Sequence, residues 1–249
     1  MLRSIGLLGL AFAAWAGDGF AQTYLVLPLL GDRVTIVTAE RQSGRVDSSR
    51  YEVVPQTVPT FDNHVLRAVQ GTFQRARPDT AIIMLRATDP KLFALRDAWL
   101  DSDDVNVRAL WLFIARQSAA SAASHLLLIT PYRSEPQMKV GGGEYRGTGK
   151  VAGLGFYLDG VTRLRRSDTD ETATGFLGVF ANFQLILINL QSETIEARER
   201  ITVGQTFAAA RAVDKSPWEA LSPARKDAVL AHLITEEIEN VLPGMLKAR

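Results

Sequence analysis

The chain contains no cysteine. That excludes disulfides, thiolate metal sites, a cysteine nucleophile and an acylated cysteine anchor, so the fold must hold by packing alone. Histidine is scarce as well: His64, His125 and His232 are the full set, and none stands in the His-Glu-x-x-His spacing of a zinc hydrolase. No Gly-x-Ser-x-Gly elbow is present, which leaves a serine hydrolase without a local signature. Charge of one sign does not predominate, with 28 Lys and Arg against 27 Asp and Glu. A net charge of +1 gives no electrostatic footprint for nucleic acid or an anionic bilayer. The apolar runs Ile5–Trp15 and Leu185–Leu190 are both too short to span a bilayer.

What the chain does have is size and apolar content. At 249 residues and 47% hydrophobic it buries a sizeable core. Arg3 followed by Ile5–Trp15 fits a secretory leader, with small residues at the right spacing before two cleavage points, after Ala16 or after Ala21. Gly17-Asp18-Gly19 would break the leader helix just upstream of the second, which favours Ala21. Residues 1–21 are therefore expected to be a cleavable signal peptide and 22–249 a single α/β domain, exported to a bacterial periplasm. Loss of the leader removes Arg3 and Asp18 together and keeps the charge at +1.

The organising stretch is Phe183–Val203. Leu185–Leu190 is a short, continuous apolar run suited to a strand buried on both faces. Ser192-Glu193-Thr194 reads as a turn, and Ile195–Val203 alternates apolar and charged residues like a strand wet on one face. The pair is a predicted β-hairpin with an inner and an outer arm. Upstream, Thr23–Leu30 reads as a strand in which Pro28 marks an edge or a bulge, and Gly31-Asp32 as a turn into Arg33–Val37. A polar stretch near 40–60 reads as a long loop. Asp62 is the expected N-cap of a first helix with Val65, Val69, Phe73 and Ala76 on its buried stripe. Thr80–Leu85 and His125–Thr130 are further strands. Asp89-Pro90 starts a helix ending near Trp99, and the carboxylates of Asp101, Asp103 and Asp104 favour the start of a next helix carrying Val107, Leu110, Trp111 and Ile114. The glycines from Gly141 to Gly155 make 134–153 the second flexible loop, Leu154–Leu164 a strand and Arg165–Thr174 a polar loop. Ser216-Pro217 and Ser222-Pro223 start a short turn and a main helix ended by Pro243-Gly244, the natural cover for the hairpin. The fold class is thus α/β (α+β), in two or three layers. Its mixed sheet has about five strands, in the order β-α-β-α-α-β-β-β-β-α.

Motifs for chemistry are weak throughout. Gly147-Thr148-Gly149-Lys150 resembles the end of a phosphate loop, but Glu144 stands where the first glycine belongs and Val151 where Ser or Thr should bind magnesium. Asp101–Asn106 and Asp168–Thr172 have the look of calcium loops without the required glycine or closing glutamate. No catalytic, cofactor or metal residue is assigned. Arg163, Arg165 and Arg166 form a small basic cluster, which with Tyr145 and Arg146 makes the candidate contact with a partner; as an exposed strand end the arginines need no such role, and the near-zero net charge favours that reading.

The element order and three segments carry a resemblance. Tyr24-Leu25-Val26-Leu27-Pro28-Leu29 looks like the opening strand, Phe183–Val203 like the charged hairpin, and Ala115–Thr130 like the helix-to-strand step of the TolB amino-terminal-domain-like families of bacterial envelope proteins, which include the curli secretion channel protein. The chain departs from them in lacking a lipidated cysteine and in carrying Ser192-Glu193-Thr194 where their turn usually has glycine. The resemblance implies a non-catalytic binding or assembly module that contacts another envelope protein or polymer. It implies no cofactor and transfers no functional residue. Nucleic acid is not an expected partner, no stable membrane anchor is expected after leader removal, and a homo-oligomer is compatible with the sequence. The alternative is an exported hydrolase whose site is assembled from distant residues, His64 or His125 beside a carboxylate.

Overall fold

The computed structural model describes residues 22–39, 49–56, 60–102, 105–114, 123–139, 145–147, 149–165, 170, 172–212, 214 and 216–247. The expected signal peptide lies outside them. Along the chain run β1 (Thr23–Pro28), β2 (Arg33–Ala39), β3 (Arg50–Pro55), α1 (Thr60–Ala76), β4 (Ala81–Met84), α2 (Pro90–Ser102) and α3 (Val107–Ile114). There follow β5 (His125–Pro131), β6 (Arg133–Ser134), β7 (Met138–Lys139), β8 (Tyr145–Arg146), β9 (Val151–Arg165), β10 (Thr172–Asn189), β11 (Thr194–Ala208) and α4 (Pro223–Lys247). The class is mixed α/β as expected, but among the described residues the main sheet has nine strands where about five were expected, and β7 with β8 forms a second, two-stranded sheet.

The extra strands come largely from segments that read as loops. β3 lies inside the polar stretch expected to be a loop near 40–60, because Tyr51, Val53 and Val54 supply enough strand-forming side chains to pair with β2. β7 and β8 lie within 134–153, β6 overlaps its start at Ser134, and β9 begins at Val151, so Gly153 and Gly155 are strand residues. At Gly155 glycine is required for closeness, since a Cβ would stand 2.0 Å from the Thr35 carbonyl oxygen and 2.5 Å from the Phe180 ring, whereas Gly153 takes a φ of 74°. The expected polar loop Arg165–Thr174 is shortened from both sides, since β9 and β10 pair out to Arg165 and Thr172.

β10 is the axis of the sheet. Along one edge it pairs with β11 from Phe176 to Asn189. Along the other it has two partners in succession, β9 for its first part and β5 for Phe183–Asn189, both antiparallel. From this change of partner the sheet forks into two wings: β5, β1 and β4 in parallel on one side, and β9, β2 and β3 on the other. β1 and β2 are therefore not hairpin partners. The short link at residues 29–32 carries the chain from one wing to the other. Pro28 is also not on an edge strand, since β1 lies between β4 and β5. The Leu29 N–H bonds Ile129 of β5 and the Val26 carbonyl accepts from Leu85. By alternation the missing donor of Pro28 faces the β4 side, where that strand has already ended.

The hairpin expectation holds. Phe183–Ile188 is buried throughout, and β11 is its wetter outer arm. One face of the sheet is covered by α1 and α4, which bury Val65, Val69, Phe73, Val229, Leu230, Leu233, Ile234 and Ile238 against Leu177, Phe183, Leu185 and Leu187. On the other face α2 and α3 cover the first wing through Leu92, Trp99 and Leu110, and Met138 of β7 packs on Phe176, Phe180 and Tyr157 of the second. Two helix boundaries differ from expectation. α1 begins at Thr60, before Asp62, and Ala76 is exposed. α4 runs through Pro243 to Lys247, because Leu242, Met245 and Leu246 are buried on its core stripe and outweigh one lost backbone bond near the helix end. The second helix does start at Pro90, and Asp89 accepts the Lys91 N–H at 2.9 Å. α3 is capped by Asn106, whose Oδ1 accepts the Ala109 N–H at 2.8 Å; Asp103 and Asp104 lie outside the described residues.

Candidate functional site

The fork between the wings needs local solutions for backbone groups that no strand can satisfy. Asn182, fully buried on β10, donates from Nδ2 to the Ser134 and Val151 carbonyls at 3.2 Å each, while its own carbonyl accepts from the Tyr132 N–H at 2.9 Å. The link between β1 and β2 is held from two helices. Asp62 Oδ1 on α1 accepts the Leu30 and Gly31 N–H groups at 3.1 and 2.8 Å. It thus caps a loop and not its own helix. Burial pushes its carboxyl up to about 6, against the lowering effect of those two bonds.

From α2, Arg96, whose side chain is 1% exposed, donates to the Leu29 carbonyl at 2.9 Å and to Asp32 at 3.0 Å. It also reaches Asp97 at 2.6 Å. Arg33 completes the group, donating to Asp32 at 2.9 Å and Asp97 at 2.8 Å. Burial works against the Arg33 charge, but its bonds to Asp97 and Asp32 prevail and raise its pKa.

Beside this ionic group lies a cleft of about 320 Å³. Its walls are Leu30, Arg33 and Thr35, Tyr51 and Val53 of β3, Arg96, Asp97 and Leu100 of α2, and Pro131, Arg133 and Lys150–Leu154. The lining is mainly apolar with a cationic rim: Arg133 and Lys150 are exposed, and Asp97 is the one carboxylate among the described lining residues. Gly149 permits the approach of the loop before β9, since a Cβ there would stand 2.2 Å from the Tyr51 hydroxyl and its φ is 82°. Lys150 leads into a strand and not a helix, so the segment 147–150 lacks the helix N-terminus that a phosphate loop needs.

A second constellation lies at the far end of β5. His125 is buried, stacks on Tyr24 at 5.0 Å, and places Nδ1 2.8 Å from Ser124 Oγ. A bulge between β10 and β11 leaves Glu196 without an opposite residue and brings Oε2 to 3.5 Å from His125 Nε2. Asn189 donates to the other Glu196 oxygen at 2.9 Å. The backbone groups of Ser124 are already used, its N–H by Thr23 and its carbonyl by Leu190. His64 instead meets Arg67 at 3.4 Å; burial and that neighbouring charge lower its pKa. His232 pairs with Glu236 at 3.3 Å on the exposed side of α4.

No protein-family model matches this chain. No curated protein matches it. Among solved structures it is similar to protein XCC0632 from Xanthomonas campestris, family-model DUF330, at 10% identity, with 91% of this chain and 87% of that chain covered and a TM-score of 0.35. A likeness that distant carries no argument about fold or function.

Of the residues named from sequence as partner contacts, four fall on two strands, β9 and β8. Arg163 is exposed on β9 opposite Thr174. Arg165 is the last residue of that strand, and Arg166 lies outside the described residues. Tyr145 and Arg146 form β8, paired with Lys139 and Met138. The cleft was missed because its members come from five separate segments; the nearest signals were Gly149-Lys150 and the alternation of Tyr51 and Val53. Asp103 and Asp104 of the first calcium-like segment, and Asp168, Thr169 and Glu171 of the second, lie outside the described residues. Among the described residues no cluster of three His, Asp or Glu side chains is placed to hold a metal.

Proposed function

We propose that the protein is an exported, non-catalytic binding module of the bacterial cell envelope, held in the periplasm after loss of residues 1–21, where it contacts another envelope protein or polymer. The observation that carries this reading is the cleft at the fork: an apolar floor, a cationic rim, and an ionic group that is fully paired within the protein and so poised for binding and not for proton transfer. The leader pattern and the resemblance to TolB amino-terminal-domain-like families support it. Crosslinking of the leaderless protein in envelope fractions, with Lys150→Glu as comparison, tests it. A partner captured by the native protein and lost from the variant is expected. A purified protein that captures nothing, in an assay where a control module succeeds, refutes it. Mass measurement of the exported chain tests the leader, with residue 22 expected first.

The Ser124–His125–Glu196 chain favours one second reading, an exported hydrolase. A serine-directed fluorophosphonate should then label Ser124, and Ser124→Ala should abolish labelling. An unlabelled native protein removes that reading.

A further inference from the structure

We propose that the open edge of β3 pairs with the same edge of a second copy of this chain, antiparallel about a two-fold axis at Tyr51, to give a homodimer with one continuous sheet. This contact goes beyond the cleft and stands whether or not the cleft binds anything. β3 pairs with β2 along one edge; along the other, no strand among the described residues covers Arg50–Pro55. A bare edge is a template for further pairing unless charge or proline blunts it. β3 is only partly blunted. Its alternate residues Tyr51, at 47%, and Val53, at 54%, are the two most exposed large apolar side chains among the described residues.

The main chain limits how two such edges can meet. Gln56 donates its N–H to the Asp32 carbonyl at 2.8 Å, so by alternation Val54, Glu52 and Arg50 turn their backbone groups to β2, and Val53 and Tyr51 turn theirs outward. Pro55 also faces outward but has no N–H to give. Outward residues must meet outward residues, which leaves three symmetric registers, centred at Tyr51, Glu52 or Val53. Centring at Glu52 sets it against Glu52 of the second copy, a like-charge pair. Centring at Val53 sets Tyr51 against Pro55 of the second copy and loses a donor on each side of the axis. Centring at Tyr51 sets Arg50 against Glu52 of the second copy, twice over.

Charge complementarity selects that register. Arg50 and Glu52 are exposed, share one face of β3 and, among the described residues, are in no ion pair. In the dimer the four side chains would stand at the corners of a rectangle, opposite in sign along every side and alike only on the diagonals. Their β2 neighbours Thr38 and Ile36, and Val54 beyond Glu52, add no charge to that face. The charged residues of the cleft belong to the other face with Tyr51 and Val53, and take no part. Tyr51 keeps its place against Gly149 and asks only for its copy beside it. The two-fold axis stands perpendicular to the sheet, so both clefts open on the same side and the dimer is bivalent.

A strand this short makes a small contact, so sedimentation velocity of the leaderless protein should show a weak dimer that grows as concentration rises toward about 1 mM. Arg50→Glu and Glu52→Arg should each weaken it about tenfold or more, since both cross-strand pairs become like-charged. An equimolar mixture of the two variants should pair again, as should the double variant Arg50→Glu/Glu52→Arg, each within about threefold of the native protein. Circular dichroism confirms that the variants fold. Because the chain has no cysteine, Tyr51→Cys introduces a single thiol that faces its copy across the axis, at about 5.5 Å between Cα atoms and within disulfide reach. Mild oxidation should convert Tyr51→Cys to a covalent dimer and leave Val53→Cys, which faces Ser49 of the second copy, unlinked. Monomer at every concentration, a dimer indifferent to charge reversal, no recovery in the mixture, or equal linking of the two thiols overturns the proposal. A photo-crosslinker at Val53 that captures another envelope protein while sedimentation shows only monomer also overturns it. The edge then takes a foreign strand, and the reading as a binding module stands.

Discussion

Replacing Asp62 with asparagine should remove a pH dependence built into the core. The carboxyl sits in the first turn of α1 at 5% exposure, with its ordinary value of 3.8 pushed up to about 6 chiefly by burial. An acid whose folded pKa is raised holds its proton more tightly when folded than when unfolded. Its folding penalty is therefore absent well below pH 3.8, grows as pH rises through the window from 3.8 to about 6, and is complete above it. The interval corresponds to about 3 kcal/mol at neutral pH, of which roughly 2.5 develops between pH 4 and pH 7.5. In Asp62→Asn the side-chain oxygen still accepts from Leu30 and Gly31, so the two backbone bonds survive without the buried charge. The new amide donors cost about 1 kcal/mol if unpartnered. The variant should then be roughly 0.5 kcal/mol less stable than the native protein near pH 4 and about 2 kcal/mol more stable at pH 7.5. Urea unfolding of both proteins across pH 4 to 8 reads this directly, as a difference that grows with pH. Parallel stability profiles would refute the argument that desolvation dominates at Asp62.

Three further substitutions probe the framework by the same unfolding measurement. Glu193 occupies the left-handed region at φ 55° in the turn between β10 and β11, so Glu193→Gly should raise stability by about 0.5–1 kcal/mol; a loss would show that its side chain holds the turn. Asn182→Ala removes the amide that bridges Ser134 and Val151 and should cost about 2 kcal/mol or more, with faster exchange of the Tyr132 and Val151 amides; an unchanged stability would mean the fork closes without it. Arg96→Ala strips the buried partner from Asp32 and the Leu29 carbonyl and should cost about 3–5 kcal/mol, whereas a cost under about 1 kcal/mol would show the ionic group to be dispensable.

Local pattern carried a good part of the fold. Leu185–Ile188 is buried on both faces because one face meets α1 and α4 and the other α2 and α3, which is what an uninterrupted apolar run signals. Ser222-Pro223 opens α4 as its proline implies. Long-range arrangement was not legible. Nothing in residues 29–32 reveals that β1 and β2 belong to different wings, since a short link looks the same whether its strands pair or part. Asp62 read as an N-cap because aspartate before an apolar stripe usually is one; its role in capping residues 30 and 31 depends on a contact across the fold. Pro243 read as a stop because the local cost was visible and the burial of Met245 and Leu246 beyond it was not. The cleft escaped for a related reason: Arg33, Val53, Arg96 and Lys150 share no sequence spacing. The Ser124–His125–Glu196 chain was foreshadowed only by the scarcity of histidine, because the bulge that delivers Glu196 leaves no mark in an alternating strand.

The change of partner along β10 also sets an order of assembly. β5 and β9 need the same edge of one strand that lies in the last third of the chain, so neither can find its antiparallel neighbour until residues 172–189 are available. Before then β1 can align only with β4 and β5, and β2 only with β3 and β9, leaving two half-sheets bridged only by the two-residue pairing of β6 with β9. A polypeptide cut short of Thr172 would present two greasy, incomplete ribbons joined only by that short pairing, the state most exposed to aggregation. Completion of this protein is a late, cooperative event, governed by sequence-distant pairing more than by any early local nucleus.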